Sequence, residues 1–162
     1  MKRLVFVTLL LTVPLALLAQ QSFAAKPTIQ RIPIDDTFRT GACGFAVEGH
    51  TTGTIVDISY TDAQGNFHEF QAGPQVKSTY TNLLTGKSII VNISGPGDFT
   101  FYENGGVTLV GTGLWSWDGD PDTGAPGLFL TQGRFVQTLD ANFNQTSFTR
   151  NGTKIDLCAQ LN

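Results

Sequence analysis

From Cys43 onward, clusters of Gly, Pro, Asn and Asp interrupt this chain about every ten residues, and the segments between them alternate apolar with polar positions. Period-two alternation gives a strand one apolar face, whereas on a helix it would scatter the same side chains around the axis. The sharpest instance is Phe99–Trp117. Asn104-Gly105-Gly106 can take the positive φ angles of a tight hairpin turn. Phe99 and Phe101 then share a face with Val107, Leu109 and Gly111 of the return strand, and the segment ends in Trp115 and Trp117.

The same pattern recurs along the chain. Cys43, Phe45 and Val47 alternate ahead of a strand from Thr52 to Thr61, which a turn at Asp62–Asn66 returns as Phe67–Ala72. Gln75–Leu83 and Ser88–Ser94 flank a turn at Leu84–Lys87. Leu128–Leu139 reads as one long strand, with Arg134 the charged residue in the middle of an apolar run. Gln145–Arg150 follows, then a short tail that reads as helical around Ile155–Leu161. Lys26–Ile34, with Pro27 and Pro33, reads as an extended lead-in. Many short strands and almost no helix point to an all-β fold. The expected architecture is a single antiparallel barrel of about eight strands, calycin-like, with a two-sheet sandwich as the alternative.

The N-terminus has the order of an export signal. Lys2 and Arg3 precede an apolar run from Leu4 to Leu18, and Ser22-Phe23-Ala24 places small residues where a signal peptidase reads them. Cleavage after Ala24 gives a signal peptide over residues 1–24 and a single secreted domain over residues 25–162. The run is shorter than the roughly 20 residues of a spanning helix, and no later segment is apolar enough to cross a membrane.

Only 14% of residues are Asp, Glu, Lys or Arg, against about 25% in ordinary domains, which suits extracellular β-structure. The leader holds two of the ten basic residues and none of the thirteen acidic ones. Eight against thirteen remain, a net charge of −5. A chain of that sign lacks the basic face that nucleic acid requires and is not drawn to anionic lipid. The two cysteines, Cys43 and Cys158, lie near the two ends of the domain. In an exported chain they read as one disulfide; the other reading is a reactive or metal-binding thiol.

Cys43-Gly-Phe, Thr85-Gly-Lys-Ser, Ser94-Gly-Pro-Gly, Val110-Gly-Thr-Gly-Leu-Trp, Gly133-Arg and Asp156-Leu-Cys-Ala follow in an order that resembles a group of small secreted bacterial β-proteins without an assigned activity. The resemblance covers most of the domain but lies in turns and strand ends. It implies secretion, one domain and a Cys43–Cys158 bridge, and it carries no catalytic residue. Asp118–Gly124 departs from it by being more acidic.

Two candidate sites follow from the residues. Asp118, Asp120 and Asp122 alternate on a Gly-rich loop and could converge on Ca²⁺, which takes six to eight oxygens; the alternative is a solvated turn. Trp115 and Trp117 share a face, either as an exposed platform for a glycan or as part of a core or cavity wall. Tyr60, Tyr80 and Arg134 complete a candidate ligand-binding set with the two tryptophans. Asp57, Glu69 and Glu103 are acids in strand context with no evident pairing, and His50 and His68 have no third ligand at metal-site spacing. No catalytic motif is present, and the only cofactor suggested is calcium at the aspartate loop. The first expectation is therefore a secreted, non-catalytic binding protein for a small apolar molecule or a glycan. A barrel-type isomerase or cyclase and a structural envelope protein are the alternatives.

Overall fold

Among the described residues seven long antiparallel runs follow one another up and down, and five of them break near the middle. The computed structural model describes residues 26–162; the signal peptide expected over residues 1–24 lies outside them. β1 (Thr28–Thr40) pairs along nearly the whole of β2 (Val47–Thr61). That occupies one edge of β2. The other edge takes β3 (Phe67–Ala72) beside its second half and β4 (Lys77–Asn82) beside its first. β3 and β4 are thus two halves of one run.

The same division repeats in β5 (Ser88–Asn92) with β6 (Gly97–Phe101), and in β7 (Val107–Gly111) with β8 (Leu114–Asp118). It repeats again in β9 (Leu128–Gln132) with β10 (Phe135–Leu139), and in β11 (Gln145–Arg150) with β12 (Thr153–Asp156). The chain ends in the short helix α1 (Leu157–Leu161), capped by Asp156. The large sheet, in the order β11-β10-β7-β6-β3-β2-β4-β5 with β1 on β2, curls into a half-barrel, and β12-β9-β8 form a second small sheet. The fold is all-β.

The registers explain the breaks. Gly113 stands opposite Gly133, and Gly133 opposite Gly152, because β7–β10 and β8–β9 share one register, as do β10–β11 and β9–β12. Gly133 has φ 131° and Gly152 φ 103°, and a Cβ on either would be driven into the backbone carbonyl of the facing strand. The buried side of the ladder changes at this seam. Val107, Leu109, Gly111 and Phe135 are buried on one side, Leu128 and Leu130 on the other. The strand read as continuous over Leu128–Leu139 is therefore two strands, and Arg134 sits exposed at the break.

Two further boundaries differ from the sequence reading. The lead-in is a full strand, since Pro33 lies in β1, where its missing N–H is tolerated at a sheet edge. Cys43–Ala46 form a turn and loop rather than strand, with Gly44 N–H donating to Gly41 C=O at 3.0 Å. The hairpin at Asn104–Gly106 matches its expectation: Gly105 has φ 81°, and the Tyr102 N–H donates to Gly106 C=O at 3.0 Å.

Val47, Tyr80, Leu128, Leu130, Leu157 and Leu161 form the main core, between the β2–β4–β5 end of the half-barrel, the small sheet and α1. Burial of such side chains stabilises by about 1.5–3 kcal/mol each. The Cys43–Cys158 disulfide, with Cα atoms 5.2 Å apart, ties the β1–β2 connection to α1 beside this core. Asn82 reaches across it to donate to the Leu161 carbonyl at 3.1 Å.

Candidate ligand-binding cavity

Where the runs break, the halves of the sheet part and leave a cavity of about 250 Å³. Ile34 of β1, Ile55 of β2, Val76 ahead of β4 and Ile93 after β5 give it an apolar lining, and Trp115 of β8 forms part of its wall. The polar groups at its margin are those of Thr51, Gln71 and Ser116. Thr51 is already paired with Ser78, hydroxyl to hydroxyl, at 2.7 Å.

Trp115 is positioned by what it lies over. Its ring covers Gly95 and Gly97, where any Cβ would meet the indole, and its Nε1–H donates to Thr112 C=O at 3.1 Å. Trp117 donates to the buried Thr131 hydroxyl at 2.8 Å. The two indoles lie 6.3 Å apart, and each meets Phe135 edge-on, at 5.2 Å and 5.0 Å between centroids. Both are half-buried. The tryptophan face is thus a packed aromatic cluster, of which Trp115 also reaches the cavity.

The rest of the expected ligand set does not gather there. Tyr80 is buried in the core against Phe38. Tyr60 projects from the opposite face of its strand and stacks on His68 at 4.8 Å. Arg134 lies in a shallow surface depression with Thr149, Arg150 and Asn151.

The aspartate loop has other partners. Asp118 accepts from the Thr40 hydroxyl at 3.1 Å. Lys154 Nζ donates to both oxygens of Asp120 and to Asp122, and the Arg150 guanidinium forks onto Asp122 at 2.9–3.0 Å. Lys154 first holds the Asp120 carboxyl below its ordinary range, and Arg150 does the same for Asp122. Positive side chains stand where a cation would need to be. Among the described residues no three His, Cys, Asp or Glu side chains gather as a metal-binding group.

Spacing alone did not expose one acidic pair. Asp57 is 6% exposed, and its Oδ1 is buried without a hydrogen-bond partner. Gln71 stands directly opposite it on β3, and Glu69 is its diagonal neighbour on the same face. Burial, followed by the charge of Asp57, pushes the Glu69 carboxyl up. The signal was the Asp62–Asn66 turn: fixing its register fixes Asp57 opposite Gln71. His68, by contrast, is engaged by Asp62 at 3.0 Å and by Thr100 at 3.2 Å, on the other face.

No protein-family model matches the chain, and no curated protein or solved structure matches it.

Proposed function

We propose that this chain is an exported, non-catalytic binding protein that holds a small apolar molecule in the cavity between its two sheets. One observation carries the reading: an apolar cavity walled by Ile34, Ile55, Val76, Ile93 and Trp115, with only a few polar groups at its margin. The isomerase alternative needed Tyr60, Tyr80, Arg134 and an acid around one pocket, and these residues lie in three separate places. A glycan platform needs free indole faces, whereas Trp115 and Trp117 are packed with Phe135. The disulfide suits an extracellular protein. Among the described residues no helix is long and apolar enough to cross a membrane. The leader-like N-terminus, the low charge and the resemblance of the turn motifs to those of small secreted bacterial β-proteins support export.

The test is calorimetric titration of the protein with octanol. Saturable one-to-one binding that is lost on narrowing the cavity with Ile55→Phe is the expected result. Binding that is absent, or that does not respond to Ile55→Phe, would sink the proposal.

A further inference from the structure

The interior face of the sheet does not stay apolar beyond the cavity. Ile55 and Gln71 both line it, and Asp57 follows Ile55 by two residues on the same face of β2 and stands opposite Gln71. Asp57, Gln71, Gly97, Gly111 and Phe135 form one cross-strand row, and Trp115 covers the row at Gly97. Below Asp57 in the same face comes Glu69, opposite Ser59. On the β1 side Asp57 faces Gln30.

A buried carboxylate oxygen without a partner is costly, because it has given up water and received nothing in return. Among the described residues neither Asp57 nor Glu69 has a Lys, Arg or His partner. Every Asp of the acidic loop, by contrast, has a side-chain donor. Asp57 is buried without one, and Gln71, which stands opposite it, lines the apolar cavity. Two carboxyls do not make a metal site, and no third ligand joins them. They suit a donor that brings its own positive charge and several N–H groups.

Resting on the binding reading above, we infer that the molecule held here is a cationic amphiphile: an apolar chain in the cavity and an ammonium head bonded to Asp57 and the Gln71 side-chain carbonyl. The head supplies the partner that Asp57 Oδ1 lacks, and charge-assisted bonds of this kind are roughly twice as strong as neutral ones. The tail lies against Ile55, Val76 and Trp115. Glu69 adds negative potential without needing to touch the ligand.

The experiment compares octylamine, octanol and octanoate, which share a chain and differ in the head. Binding is measured by calorimetry in about half-molar salt, where attraction to the protein's general negative charge is screened. Octylamine is expected to bind about tenfold more tightly than octanol, a difference of about 1.4 kcal/mol, and octanoate more weakly than either. Asp57→Asn, of the same shape, is expected to abolish the preference for octylamine. Equal affinity for octylamine and octanol overturns the inference but leaves the apolar cavity standing, as does a preference that survives in a folded Asp57→Asn variant. Failure of all three probes to bind overturns both readings. Should Asp57→Asn not fold, the head-group comparison on the unaltered protein decides alone, and Glu69→Gln is expected to reduce the preference without abolishing it.

Discussion

Trp115 lies over Gly97 so closely that a Cβ there would stand 2.8 Å from the indole, and the absence of a side chain at Gly97 is what admits the ring. The wall of the cavity thus depends on a residue on a neighbouring strand. Gly97→Ala is expected to push the indole off its seat at a cost of about 1–3 kcal/mol, the usual range for overpacking. Gly41→Ala, where a Cβ would meet nothing within 4 Å, is the control and should stay within about 0.5 kcal/mol. Denaturant midpoints at constant m decide the matter. Equal midpoints for the two variants would mean that Trp115 is free to move aside.

The disulfide closes a sequence separation of 115 residues. In the chain-entropy model such a loop stabilises by roughly 4–5 kcal/mol. Cys43→Ala with Cys158→Ala is therefore expected to lower the unfolding free energy by a few kcal/mol and to loosen α1 first. Leu157 and Leu161 pack into the core from a helix of five residues, too short to hold itself. Hydrogen exchange at Ala159–Asn162 checks this. Unchanged protection there would show that Leu157, Leu161 and the Asn82 bond suffice to dock the helix.

Much of the all-β fold was legible because strand alternation and turn residues are local. Phe99–Gly111 and Gln145–Arg150 needed only their own sequence. The seam was not legible, because Gly113, Gly133 and Gly152 acquire meaning only when three strands are in register. Arg134 could not be placed for the same reason: its segment is apolar and alternating and reads as one strand, but Gly133 breaks it. The partners of Asp120 and Asp122 come from some thirty residues further on, in β11 and β12, so the loop resembled a cation site by itself. Trp115 could be placed on a face but not over Gly95 and Gly97. Asp57 and Glu69 share a face in the hairpin pattern, yet their burial depends on the curl of the whole sheet.

The aspartate loop is tied to the sheet by cations of the chain. Lys154→Met leaves Asp120 and Asp122 without their shared ammonium and is expected to lower the melting temperature. Asp120→Asn combined with Lys154→Met should cost less than the sum of the two, since the pair is in direct contact. Calcium should not raise the melting temperature of the unaltered protein, because Lys154 and Arg150 already occupy the carboxylates. A calcium-dependent rise in Tm that disappears with Asp120→Ala would contradict this assignment.

Acid stability divides the carboxyls into two groups of opposite sign. Hydrogen bonds from His68 and then Asn66 hold Asp62 down to about 2, against an ordinary value of 3.8. Asp120, Asp122 and Asp140 are lowered too, the last by the Asn144 N–H first. For these groups the unfolded chain binds more protons than the folded one in the window between. Their stabilisation is complete above the ordinary carboxylate value and is lost as pH falls through the lowered folded values, for Asp62 toward about 2. Glu69 runs the other way. Its folded value is raised above 4.5 by burial and then by Asp57, so its cost is absent below the ordinary value and grows as pH rises through the raised one. Glu69→Gln is therefore expected to raise Tm near pH 7 and to leave it unchanged near about pH 3, whereas Asp62→Asn lowers Tm near pH 7 and flattens the acid limb. Thermal melts of both variants across this range check the signs. A Glu69→Gln variant less stable than the unaltered protein near neutral pH would show that the Glu69 carboxylate is satisfied within the fold and does not repel Asp57.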